Sequence, residues 1–514
     1  GAQLCHASGV DHQNELRVGL RAGRGYAGNQ AGDGLCGDPS PRPSARPAGR
    51  AAGYDALVAD PEATPDSVIN IMLYFDEAPS LQSMREVFVQ YIMPLQRFQQ
   101  RLQDDVSRTS FDDEYHFVEE EVADERALDM RAQELVAEPL DISLPLWRLQ
   151  LLLAASGRSA LLFRVHNCIA DGLGLLFDLA PTMEVETGGS VIPSVTLPGC
   201  ARGFARKKRS GFRSALSSSL SAPSQARQGS VIEEWLTPVT SGMWGLCMPL
   251  CAGYDADLRF NESRRGAPQY GGSRQFVRFP PLELDRIKEL GKAFGGATVN
   301  DLALAVLTGA WRRYGLEVHR DPRLSEHRKR QVSFKALIPV AQSPEASSSV
   351  KAPRQRHPIG PWVYASVPLP LGEPEASLRV REVCERCDSV KNPAFGASTL
   401  FLDMAGKQLG AQRHMQGDLM SKHSLVIANV PGPGVPVKIA GEMVQEIQLP
   451  CPGTITQIFM VSYSGFLCTS MMADPEIVPE PEAVGACFGV EFDALETLGK
   501  LTSGSASRRK KATC

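Results

Sequence analysis

Twice along this chain, strand-like and helix-like hydrophobic patterns alternate, and a basic, serine-rich stretch separates the two sets. In the first set, Ser67 to Phe75 (SVINIMLYF) reads as a strand from its β-branched and aromatic residues. Leu81 to Leu102 places Met84, Val87, Phe88, Tyr91, Ile92 and Leu95 at helical spacing. Tyr115 to Val118 reads as a short strand and Ala127 to Ala137 as a helix. Leu146 to Ala154 and Ser159 to Val165 read as paired strands joined at Ser156-Gly157.

The second set repeats the theme. Strands are expected at Phe276 to Phe279, Val332 to Val340 and Trp362 to Leu369, and helices at Leu282 to Phe294 and Leu378 to Val390. The clearest helix starts at Thr298, where Asp301 completes a capping-box pattern and Leu302, Val306, Trp311 and Tyr314 share one stripe. Four further strands (Leu425 to Ala428, Glu446 to Leu449, Ile455 to Tyr463, Phe466 to Met472) precede a helix near Ala483 to Leu498. Interleaving of this kind predicts an α/β fold of two domains, at residues 53–197 and 273–500. Residues 198–272 read as a basic, serine-rich linker and residues 501–514 as a disordered basic tail. Residues 1–52, rich in Gly, Ala, Arg and Pro, read as a disordered leader, with targeting as the alternative role.

Composition narrows the function classes. Hydrophobic residues make up 43% and charged residues 22%, enough for a substantial core. The net charge of −4 gives no electrostatic reason to expect a nucleic-acid partner. No apolar run approaches the about 20 residues of a transmembrane helix, and Met243 to Ala252 reads as a buried or interfacial segment. Membrane contact would therefore be peripheral, and Arg206 to Arg209 could meet anionic headgroups. The 12 cysteines are scattered, and the single Cys384/Cys387 pair lacks the second pair a zinc site needs. No metal or cofactor is expected.

The chemistry centres on Ala160 to Ala180, where an apolar run meets His166-Asn167 and Asp171-Gly172 and then turns apolar again. Acyl transfer to a hydroxyl needs a base for the alcohol proton and a donor for the developing oxyanion. Histidine suits the first task because it titrates near neutrality. Asp171 could fix the local geometry, and Gly172 permits a tight turn into a helix. On these letters alone, a strand end with polar residues satisfying backbone groups is the simpler reading.

The wider sequence changes that reading. His166 to Gly172 (HNCIADG) resembles the HHxxxDG motif of the wax ester synthase/diacylglycerol acyltransferase family. Pro139 to Trp147, ending in PLW, is similar to a family segment. So are Thr298 to Leu302 (TVNDL), Leu337 to Val340 (LIPV) and Asn429 to Pro433 (NVPGP), supported by SYSG at Ser462 and ADP at Ala473. The resemblance implies two chloramphenicol-acetyltransferase-like domains, with mixed sheets covered by helices and an interdomain tunnel. It implies fatty acyl transfer from acyl-CoA, as co-substrate, to diacylglycerol or a long-chain alcohol. The expected location is inside the cell, at the cytoplasmic face of a membrane or lipid droplet. The second histidine of that motif is the family's general base, and its aspartate is structural; these positions carry over to Asn167 and Asp171. Asn300 and Asp301, with Asn429, Pro431 and Gly432, would form the second domain's substrate-binding contribution.

One letter departs from the family. Asn167 stands at the base position and cannot accept a proton. Neighbours on a strand face opposite ways, so His166 is not a ready substitute. The expectation is a weakened O-acyltransferase. A non-catalytic acyl-CoA- or lipid-binding homologue is the alternative, and transfer to an amine is a further one within the fold. His116 and His423 read as structural histidines, and Trp147 and Trp311 as core.

Overall fold

The computed structural model describes residues 68–99, 112–141, 143–167, 169–170, 172–185, 253–260, 273–325, 332–341, 362–390, 398–399, 401–402 and 412–512. The leader, nearly all of the basic linker (Met243 to Ala252 included), Arg328 to Arg330 and Asp171 lie outside the described residues.

The first half begins with β1 (Val68–Phe75) and α1 (Leu81–Tyr91). Ser80 caps α1 by accepting from the Ser83 backbone N–H. The helix is shorter than the apolar spacing predicts, because Pro94 cannot donate to the preceding turn and disfavours helix before it. A 3-10 turn at Gln96–Gln99 follows. Asp112 then caps a single helical turn, Asp113–His116, so β2 (Phe117–Val122) starts later than the sequence pattern suggests. Next come α2 (Glu125–Ala137), β3 (Trp147–Ala154) and β4 (Ser159–His166). The β3–β4 hairpin turns at Gly157, whose φ of 93° is open to glycine at no steric cost. The half closes with α3 (Gly172–Leu179) and β5 (Met183–Glu184).

The second half runs through β6 (Gln275–Arg278), β7 (Leu282–Glu283), α4 (Leu284–Ala293) and α5 (Val299–Arg313). β8 (Lys335–Ala341), β9 (Trp362–Pro368), α6 (Ala376–Val390) and α7 (Gln412–Ser421) follow. The last elements are β10 (Leu425–Pro431), β11 (Lys438–Ile439), β12 (Glu442–Gln448), β13 (Thr456–Tyr463), β14 (Phe466–Ala473) and α8 (Glu482–Ala512). Most of the segment read as a disordered tail is thus helical, consistent with its Ala, Arg and Lys content.

Two mixed sheets result. The first has the order β2-β3-β4-β1-β12-β11-β5 and the second β6-β14-β13-β10-β8-β9, with β7 paired to β14. β12 therefore leaves its own half and pairs antiparallel with β1, Met72 opposite Gln448. The two halves share this sheet and a core. Phe88, Trp147, Phe163 and Val165 of the first half cluster with Val437, Ile447, Val461 and Tyr463 of the second. Burying such side chains contributes roughly 1.5–3 kcal/mol each, so the shared core is a main source of cohesion between the halves. A separate core surrounds α5, buried along nearly its whole length between α6, α8 and the second sheet.

Candidate active site

The polar cluster sits where β4 ends. His166 is the last residue of β4; its backbone N–H donates to Leu146 O at 2.9 Å, and its carbonyl accepts from Ile169 N at 2.9 Å. That second bond closes a turn carrying Asn167, which is exposed, whereas the His166 side chain is fully buried. Burial pushes the His166 ring down to about 4, because no water compensates its charged form. At neutral pH His166 is an uncharged interior group. Gly172 opens α3 three positions after the turn, as a strand-turn-helix motif requires.

The PLW segment anchors this strand end. The Pro145 carbonyl accepts from Trp147 N at 2.8 Å and lies 3.0 Å from His116 Nε2. The opposite ring nitrogen, His116 Nδ1, is 2.7 Å from the Asp112 carbonyl. The two carbonyls favour the charged ring, but burial outweighs them and lowers its pKa. The Trp147 indole N–H donates to Phe98 O at 3.0 Å, and its ring lies 4.5 Å from the His116 ring. Arg97, next to Phe98, pairs with the buried carboxylate of Asp178 on α3. The helix after the motif and the tryptophan before it are thereby tied to one 3-10 turn. Sequence reasoning placed Leu146 and Trp147 in the PLW segment and read His116 as a structural histidine, and it missed Arg97 and Asp178. Asp178 stood as a charged letter within LLFDLA, which is the signal that could have found it.

The second half brings together two of its expected residues. Asn429, near the end of β10, donates through Nδ2 to Asn300 Oδ1 at 2.5 Å. Asn300 is exposed on the first turn of α5. Asp301 is fully buried and completes the capping box: its Oδ2 accepts from Thr298 N at 3.0 Å, and its own N–H donates to Thr298 Oγ1 at 3.2 Å. Its carboxylate holds the start of the helix that carries Asn300. Pro431 ends β10 opposite Ser462. Gly432 follows, its N–H donating to Ser462 Oγ at 3.2 Å, in a space where a Cβ would meet the Ser462 carbonyl at 2.4 Å. The NVPGP letters thus mark a close approach of backbone to β13.

His423 is buried just ahead of β10, with Nδ1 2.6 Å from Leu419 O and Nε2 2.7 Å from Ser366 Oγ. Neither it nor Ser366 reaches the surface. Cys384 and Cys387 are buried on α6 in the core of the second half.

Residues 106–303 match the wax ester synthase/diacylglycerol acyltransferase catalytic domain, and residues 363–496 match the C-terminal domain of the same family. The chain belongs to the wax ester synthase/diacylglycerol acyltransferase family. A Mycobacterium tuberculosis protein named "Probable diacylglycerol O-acyltransferase" is 25% identical over 396 residues, which is 74% of this chain and 76% of that one. Among solved structures, the wax ester synthase/diacylglycerol acyltransferase of Marinobacter aquaeolei VT8 matches with a TM-score of 0.55 at 15% identity, covering 87% of this chain and 99% of that one. The first condensation domain of the CDA synthetase matches at a TM-score of 0.50 and 13% identity, over 88% and 95% of the chains. These structural likenesses show the fold alone, and it is the expected class: α/β, with two mixed sheets of the chloramphenicol-acetyltransferase-like kind covered by helices.

Proposed function

We propose that this protein transfers a fatty acyl group from acyl-CoA to diacylglycerol or a long-chain alcohol, at a rate reduced by Asn167. In the reaction the acceptor hydroxyl attacks the thioester carbonyl, the C–S bond breaks as the ester C–O bond forms, and the hydroxyl proton leaves with the CoA thiolate. The observation that carries the reading is the contrast at the end of β4. Position 167 is exposed on the turn and position 166 is buried, so the residue that can meet a substrate is the family's base position.

Asn167 can orient a hydroxyl by hydrogen bonding but cannot remove its proton. Positioning both substrates still lowers the barrier, since a held pair reacts as one molecule. Asp171 is assigned the structural role that its position has in the family. Asn300 and Asn429 are assigned to substrate contact, with Asp301, Pro431 and Gly432 holding them in place. The water-insoluble acceptor calls for work at a lipid surface, reached peripherally: among the described residues no helix is long and apolar enough to cross a membrane.

The test is incubation of purified protein with labelled acyl-CoA and separate diacylglycerol, fatty alcohol and amine acceptors. Labelled triacylglycerol or wax ester is the expected product. Amide alone, or no product from either the unmodified protein or Asn167→His, contradicts the reading.

A further inference from the structure

The face of the first sheet beneath α2 changes character row by row along β4. Leu152, Ala160 and Tyr74 form one row across β3, β4 and β1, and Gln150, Leu162, Met72 and Gln448 form the next. The apolar cluster under Leu128, Ala132, Leu135 and Val136 of α2 takes in the apolar members of both rows. The row after that is Arg148, Arg164 and Asn70. Two arginines stand directly opposite one another, one row short of His166.

Arg164 is fully buried. Its Nε donates to Asn70 Oδ1 at 3.4 Å and its Nη2 to the Glu138 carbonyl, while Nη1 has no hydrogen-bond partner. Its hydrogen-bond partners are therefore neutral, and the Glu138 carboxylate acts on it only through space. Burial pushes the guanidinium down to about 10, a sign of charge held without full compensation. Arg148 is partly exposed, lies 4.9 Å from the Tyr115 ring centre and donates through Nε to Tyr115 O at 3.0 Å. Its ion pair is with Glu138 Oε2, at 3.9 Å, and that side chain is 47% exposed. Two adjacent guanidiniums thus share one loosely held carboxylate at the surface.

Burying positive charge without a counter-ion is unfavourable, and guanidinium forks match the oxygens of a phosphate. A phosphate dianion balances two arginines, which one carboxylate cannot. We propose that Arg148 and Arg164 form a phosphate-binding site, with Arg164 at its base and Glu138 occupying its mouth until a phosphate group displaces it. The phosphate can be free inorganic phosphate or the phosphate of a nucleotide such as coenzyme A, since the recognising chemistry is the same. With free phosphate the site is independent of the acyl-transfer reading; with coenzyme A it rests on that reading.

The experiment is calorimetric titration of the full chain with inorganic phosphate and, separately, with coenzyme A. Saturable binding of at least one is expected, weakened about ten-fold or more in Arg148→Met. Glu138→Gln should bind more tightly, because it removes the competing carboxylate, an effect opposite to that of general damage. Both substitutions fall on side chains that reach solvent, and circular dichroism checks that each variant is folded. Tighter binding of coenzyme A names the nucleotide as the source, and equal or weaker binding names free phosphate. No binding of either ligand, or affinities unmoved by Arg148→Met, or weaker binding in Glu138→Gln, overturns the site.

Discussion

His166 and Asn167 are adjacent in sequence and opposite in environment: one is fully buried at the end of β4 and the other is exposed on the turn that follows. The histidine this chain retains is thus at the buried one of the two positions. Held near a pKa of about 4 by burial, it is a poor acceptor for an alcohol proton and a good neutral packing group.

That burial makes stability pH-dependent. His166 and His423 both titrate near 4 in the fold against a usual 6.5, burial being the leading cause for each. As pH falls below 6.5 the unfolded chain takes up protons at these sites and the folded chain does not. Stability is therefore complete above that value and declines until pH approaches 4, by at most roughly 3 kcal/mol per ring. Urea midpoints measured between about pH 7 and pH 4 should fall steadily. In His423→Gln the decline should be shallower, and an identical slope would contradict the assignment.

Gly432→Ala should destabilise the second half. The added Cβ meets the Ser462 backbone carbonyl at 2.4 Å and Val461 Cγ2 at 3.0 Å, and the nearer obstacle is backbone rather than the end of a flexible side chain. A loss of roughly 1–3 kcal/mol is expected, read as a lowered thermal midpoint. An unchanged midpoint would mean that the β10–β13 crossing is looser than described.

Arg278 ties the halves together. From β6 it donates to Asp129 of α2 at 2.8 Å and to Glu446 of β12 at 3.2 Å, and it lies 4.8 Å from the Tyr74 ring centre. The Tyr74 hydroxyl donates to the same Asp129 at 2.5 Å. Arg278→Met leaves two partly buried carboxylates without their cation. After discounting for their exposure, the cost is roughly 2 kcal/mol. A double-mutant cycle with Asp129→Asn should give clear coupling, whereas simple additivity would show that the cluster is incidental.

Much of the fold was legible because local rules act locally. The Thr298–Asp301 capping box, the Gly157 hairpin and the buried stripe of α5 follow from spacing and turn chemistry. Apolar periodicity runs on past Tyr91, where Pro94 stops the helix, and the Asp112 cap places a helical turn inside a strand-like run. The migration of β12 into the first sheet had no local signal. It depends on pairings such as Met72 with Gln448, and on Asn70 N donating to Cys451 Sγ at 3.4 Å across 381 residues. At the site, the motif letters marked His166, Asn167, Asn300 and Asn429. The hydrogen bond between the two asparagines and the Arg97–Asp178 tie are long-range contacts that no spacing encodes.

Position 167, not 166, is proposed as the place where a general base would take the acceptor's proton, a place that Asn167 fills without being able to do so. The direct measurement is the steady-state rate of ester formation from acyl-CoA in the unmodified protein, in Asn167→His and in His166→Ala. Asn167→His is expected to raise kcat by about 10²-fold or more, the scale of a general base. His166→Ala should lower stability and leave the residual rate of the folded fraction unchanged. A fast unmodified protein that gains nothing from Asn167→His and loses its activity in His166→Ala would contradict the account and make His166 the base.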